Sequence, residues 1–236
     1  MPPSTTVDAL PGAPFAAPSA LRELVRLALP VIGLNLLNVT ALIVDAVMCG
    51  NLPNGEEALM ALGFAGQISF LMIVIMMGVT VGAVALVARA HGARARDRVQ
   101  HLLQQSVQLT LIVGVVAGAL GVAITRPLLW MLGATPAVED AAYTYLAPLM
   151  AATVIGYLNI LFGAVLRGVG NTRLALFAAI VVNLLNVLLN TVLIFGMGPV
   201  PALGLAGAAW GTILAQLVGV LLTVYLLRRG AEPALE

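Results

Sequence analysis

Lysine is missing from this 236-residue sequence, cysteine occurs once and histidine twice. The single Cys49 excludes an intramolecular disulfide. His91 and His101 lie in or beside an arginine-rich segment and read as solvated, so no Cys/His metal-ligand pattern is present. Charged residues make up only 9% and the formal net charge is +1, which argues against a nucleic-acid partner. Ser and His are too sparse for a hydrolase site. Gly168-Val169-Gly170 looks like part of a dinucleotide fingerprint, but it joins two apolar helices rather than a strand and a helix. Neither an enzyme nor a bound organic cofactor is expected.

What the sequence has in excess is apolar side chain, at 61%. A soluble domain carries about 45–50% apolar and about a quarter charged residues. No soluble fold hides this much apolar surface, so lipid has to serve as solvent. Roughly 20 apolar residues span the hydrocarbon core as a helix. Six stretches qualify: about 24–49, 58–88, 99–125, 141–166, 174–196 and 203–227. The expectation is an all-α, polytopic membrane bundle of six transmembrane helices over residues 21–229. The second stretch is long enough to require a tilt or an overrun past the interface. Residues 1–20 contain five prolines and no basic residue, unlike a secretory signal, and read as a flexible cytoplasmic tail. Residues 230–236 read likewise.

Arginine placement orients the bundle. Arg22 and Arg26 precede the first span, Arg89, Arg94, Arg96 and Arg98 follow the second, Arg167 and Arg173 follow the fourth, and Arg228 and Arg229 follow the sixth. These four regions alternate so as to share one side. The opposite loops hold Arg126 alone, with Glu56, Glu57, Glu139 and Asp140. The positive-inside rule then puts both termini in the cytoplasm, with the chain in the inner or plasma membrane. Small residues such as Gly78, Gly82, Gly207 and Gly211 favour close helix packing, as in many polytopic proteins.

Asp45 is the one acidic residue inside a predicted span, about one turn from its outer end. An ionisable group at that depth is a functional candidate by default; the bland alternative is an Asp that snorkels to the outer surface or bonds nearby backbone. Asn183, Asn186 and Asn190 recur at helical spacing on the fifth span and sit at the depth of Asp45. Thr212 and Gln216 form an i, i+4 polar pair on the sixth, and Asn38 shares the face of Asp45. Such amides also serve as simple helix-to-helix glue, worth about 0.6 kcal/mol each. Pro30, about four turns below Asp45, is a candidate hinge or a static bend.

Several segments carry a resemblance. They are Leu27-Ala28-Leu29-Pro30, Val44-Asp45-Ala46-Val47-Met48-Cys49-Gly50, Ala88-Arg89-Ala90-His91-Gly92-Ala93 and Leu166-Arg167-Gly168-Val169-Gly170-Asn171-Thr172-Arg173. They continue with Asn186-Val187-Leu188-Leu189-Asn190, Ile194-Phe195-Gly196 and Leu203-Gly204-Leu205-Ala206-Gly207-Ala208-Ala209. In this order the chain resembles the N-terminal six-helix lobe of the multidrug and toxic compound extrusion (MATE) transporters. The resemblance implies an antiporter that expels small organic, often cationic compounds in exchange for H⁺ or Na⁺. It implies a coupling-ion site at Asp45 with Asn186, Asn190 and Thr212, and bending of the first helix at Pro30. Some members carry a carboxylate where this chain has Asn190. Members have about twelve helices in two lobes, so a second six-helix lobe or a homodimer is the expected partner, besides the lipid bilayer. A membrane scaffold or partner subunit without a transport cycle is the alternative from another class, and a homo-oligomeric channel is a weaker third.

Overall fold

The computed structural model describes residues 18–229, and the regular structure among them is all α-helix. In chain order the helices are α1 (Pro18–Gly50), α2 (Gly55–Gly92), α3 (Arg96–Met131), α4 (Pro136–Ala151), α5 (Thr153–Gly168), α6 (Thr172–Phe195) and α7 (Leu205–Arg228). The expected tails fall outside the described residues, except that Pro18, Ser19 and Ala20 already belong to α1.

Five helices are long and apolar enough to cross a membrane alone, namely α1, α2, α3, α6 and α7. The bent pair α4–α5 passes the same test when its two helices are taken together, which brings the count to as many as six. The expected fold class therefore holds, but the fourth span is not the single helix that the apolar stretch 141–166 suggests: its two halves meet at 61°. The causes are local. Pro148 has no N–H, so one rung of the helical ladder is missing. The Thr153 hydroxyl donates to the Met150 carbonyl at 2.7 Å and draws that oxygen out of the ladder. α3 supplies the room, because Gly114, Gly118 and Gly121 present one face to the break. A Cβ at Gly118 would stand 2.6 Å from the Met150 carbonyl oxygen. Hydropathy does not register the bend, since both sides of it are apolar.

Helix ends also exceed the expected spans. α2 and α3 have 38 and 36 residues, or about 57 and 54 Å at 1.5 Å per residue. Both exceed a hydrocarbon core of about 30 Å. Their polar ends remain helical after hydropathy has fallen, because the backbone ladder continues where apolar composition stops. α1 runs through Pro30 as one helix.

Burial differs from that of a soluble protein, because large apolar residues face outward as well as inward. Ala58, Ala61 and Ala65 of α2 are buried, whereas Phe70, Leu71, Met77 and Val81 on the same helix are exposed. Small residues inside let the backbones approach, and large apolar residues outside suit lipid. α6 lies between α1 and α7 and packs on both. Its contact with α7 is close because Gly207 and Gly211 lack side chains. A Cβ at Gly207 would overlap the Leu193 carbonyl, and one at Gly211 would overlap the Asn190 side-chain oxygen. The connecting loop folds back on α6: Leu203 N–H donates to Leu193 O at 2.9 Å and Gly204 N–H to Ile194 O at 3.2 Å. These bonds satisfy carbonyls that a helix end leaves open. Gly196 turns the chain there at φ 73°, a left-handed value suited to glycine.

Candidate functional site

Asp45 and Asn190 each lie five residues before the end of their helix, at Gly50 and Phe195. Because α1 and α6 run the same way and touch, the two side chains meet at one depth, about 8 Å from the helix ends. Asn190 Nδ2 donates to Asp45 Oδ1 at 2.7 Å. The same amide nitrogen reaches Asn186 Oδ1, one turn below, at 3.4 Å. Asn186 Nδ2 donates to Thr212 Oγ1 on α7 at 3.0 Å, and that hydroxyl donates to the Ala208 carbonyl at 2.9 Å. A hydroxyl gives one proton and accepts others, so Thr212 is used in both directions. The outcome is a hydrogen-bonded chain across three helices, α1 to α6 to α7.

Asn186 and Asn190 are buried, Asp45 is half-buried, and apolar helix surrounds them. Asn190 Oδ1 is buried beside Gly211 and has no hydrogen-bond partner among the described residues. An unanswered acceptor next to a carboxylate is costly in a low-dielectric interior. The oxygens of Asp45, Asn186, Asn190 and Thr212 form the kind of hard donor set that suits a proton or a small oxygen-seeking cation. Among the described residues no group of three or more His, Cys, Asp or Glu side chains assembles.

The other sequence candidates go elsewhere. Asn183 donates to the Ala179 carbonyl of its own helix at 2.8 Å. Gln216 turns toward α5, where its side-chain oxygen lies beside Gly156 and its backbone carbonyl accepts from Asn159 Nδ2 at 2.6 Å. Asn38 is exposed on α1. Pro30 is half-buried inside the continuous α1.

Two residues that the sequence did not single out stand near the carboxyl group. Cys49, one turn above Asp45, is fully buried and within its electrostatic reach. Tyr145 on α4 is farther away and within electrostatic range of Asp45 and Cys49. A single tyrosine in the second half of α4 carries no periodicity signal, so only the tertiary structure reveals it. Gly211 is a third: it reads as one small residue among many, yet it makes the space that Asn190 fills.

Comparison with known proteins follows the same outline. The MatE family model matches residues 30–192, more than half the chain and both helices of the Asp45–Asn190 pair. A probable multidrug resistance protein NorM from Thermotoga maritima is 30% identical over 220 residues, covering 91% of this chain and 46% of the relative. Multidrug resistance protein PmpM from Pseudomonas aeruginosa is 30% identical over 192 residues, covering 81% and 40%. Among solved structures, a MATE protein in a bent conformation superposes with a TM-score of 0.81 at 26% identity, covering 91% of this chain and 46% of that one. An outward-facing multidrug resistance MATE transporter of the MOP superfamily gives 0.80 at 26% identity, covering 90% and 46%. This chain spans about half the length of the relatives it matches. It belongs to the MATE family, a family of membrane transporters and not of enzymes.

Proposed function

We propose that this chain is one lobe of a secondary active antiporter that expels small organic, often cationic compounds in exchange for H⁺ or Na⁺. The carrying observation is the 2.7 Å bond between Asn190 and Asp45 inside an apolar bundle. In this reading Asp45 is the coupling group, and Asn186, Asn190 and Thr212 are its polar partners. A charged Asp45 is served by the Asn190 N–H, as the geometry has it. A protonated Asp45 becomes a donor and calls for an acceptor, and a Na⁺ ion calls for several. Either change re-orders the amides that hold α1, α6 and α7 together. The ion biases the lobe only by its difference in affinity between two conformations. Each unit of difference in carboxyl pKa between them supplies about 1.4 kcal/mol.

The relatives named above are multidrug resistance proteins about twice as long as this chain. A second six-helix lobe, or a second copy of this one, completes the transporter in this proposal. Two lobes of six helices each lie parallel in the bilayer, related by an axis along its normal. Both termini lie in the cytoplasm, given the arginine distribution, and the membrane is the inner or plasma membrane. The test is Asp45→Asn in the assembled two-lobe transporter, reading efflux of a fluorescent cationic dye driven by a H⁺ or Na⁺ gradient. Loss of gradient-driven efflux with unchanged membrane insertion is expected. Normal export by the variant would remove Asp45 from the coupling role.

A further inference from the structure

The two ends of the bundle treat their arginines differently. At the end near Asp45, Arg126 pairs with Glu139 at 2.9 Å and Asp140 at 3.0 Å and lies over the Tyr143 ring. At the other end, no arginine forms an ion pair among the described residues. We propose that this second end docks anionic phospholipid, whose headgroup phosphates pair with Arg89, Arg94, Arg96, Arg98, Arg167 and Arg173. The inference is independent of the transport reading.

Arg167 is the most informative of the set. It ends α5 half-buried, with its guanidinium folded back beside Gly163, where a Cβ would stand 3.3 Å from Nη1. A guanidinium partly withdrawn from water and lacking a carboxylate leaves a fork of donors that phosphate matches in charge and shape. Gly168, the next residue, packs on Val84 of α2, which brings the end of α5 beside the helix that carries Arg89.

The α2–α3 turn adds the rest. Its backbone N–H groups are used internally: Ala93 to Arg89 O, Arg94 to His91 O and Ala95 to Ala90 O. The exposed Arg89, Arg94, Arg96 and Arg98 side chains are thus what the turn offers, against one exposed acid, Asp97. Arg94 holds a left-handed φ of 55°, a conformation glycine would adopt at less cost.

Position on the bundle selects lipid over other anions. Arg89 comes three residues after the exposed Leu86, and Arg229 stacks on the exposed Tyr225. The arginines therefore form a rim where the apolar belt ends, which is headgroup depth for a membrane helix. They are also spread over separate turns, which fits many phosphates lying in a plane better than one compact multivalent anion.

The experiment follows thermal unfolding of the whole chain in neutral detergent, with added phosphatidylglycerol, phosphatidylcholine or inorganic phosphate. Phosphatidylglycerol is expected to raise the midpoint by several degrees over phosphatidylcholine. That difference should shrink as NaCl rises from about 50 to 500 mM and the screening length shortens. Arg167→Gln, and Gln at Arg89, Arg94, Arg96 and Arg98 together, should each remove a large share of it. Arg126→Gln should retain it in full. Each variant is its own control through its midpoint in phosphatidylcholine, and single substitutions at the exposed arginines replace the fourfold variant if that fails to fold. Equal effects of the two lipids overturn the proposal. So does an equal loss in Arg126→Gln, and a match by inorganic phosphate identifies a free-anion site instead.

Discussion

Asn190 Nδ2 stands 2.7 Å from Asp45 Oδ1, joining residues 145 positions apart in the chain. The bond makes the first and sixth helices one unit at the depth of the carboxyl group. Truncating Asn190 leaves Asp45 without its amide donor in an apolar setting. Asn190→Leu is expected to destabilise the chain by about 1.5–3 kcal/mol, the range for hydrogen bonds to charged groups. An ordinary interhelical bond in a membrane averages about 0.6 kcal/mol. A double-mutant cycle of Asp45→Ala with Asn190→Leu, in which each single change removes the bond, followed by unfolding in detergent, separates the two. A coupling energy near zero would mean that the pair is not a working interaction.

Gly211 and Gly207 predict a contrast with glycines elsewhere. A Cβ at either position overlaps α6 atoms, whereas at Gly63 and Gly78 nothing lies within 4 Å. Gly211→Ala and Gly207→Ala should each cost about 1–3 kcal/mol, as overpacking does. Gly63→Ala and Gly78→Ala should be neutral or stabilising, since alanine is the better helix former by about 1 kcal/mol. Thermal midpoints of the four variants check the ordering, and equal losses at all four would contradict the α6–α7 contact described.

The break in the fourth span rests on the glycine face of α3. Gly118→Ala puts a methyl group into the Met150 carbonyl, which is backbone and cannot rotate away. The expected result is a shift of α4–α5 off α3, lowering stability by about 1–3 kcal/mol. Spin labels on exposed positions of α3 and α4 report the shift as a changed distance. An unchanged distance and midpoint would mean that the bend does not depend on this contact.

Tyr157 offers a smaller effect. Its buried hydroxyl donates to the Met72 carbonyl of α2 at 2.6 Å. Tyr157→Phe keeps the ring and removes one interhelical bond, with an expected loss of about 0.6 kcal/mol and at most about 1.7. A denaturant series in mixed micelles resolves whether the loss stays in that range.

Much of the fold was legible because hydrocarbon imposes a simple demand. A span has to be apolar for about 20 residues, so six stretches stood out. The polar stripe on α6 was legible from helical period alone, and Asp45 from its isolation among apolar neighbours. The period failed at Asn183 and Gln216. Both carry suitable amides, but Asn183 bonds its own helix and Gln216 faces α5. Spacing gives the face of a residue on its own helix and says nothing about how far the next helix is rotated toward it.

Tyr145 and Gly211 were missed for the same reason, since each matters only through a neighbour from another helix, whereas Cys49 shares α1 with Asp45 and reads as one more small residue of an apolar span. The bend at Ala152 was missed because apolar residues flank it, and because Pro148 by itself does not dictate a sharp angle.

The sequence by itself determined the six apolar stretches, the grouping of ten arginines at one set of their ends, and the place of Asp45 within the first of them. Those follow from solvation, because lipid and water sort residues along the chain. Only the tertiary structure decided that Asn190 serves Asp45, that its other oxygen lies against Gly211, and that the apolar stretch 141–166 is bent. Those depend on close approach between helices, which glycine permits at particular points and which no one-dimensional pattern records.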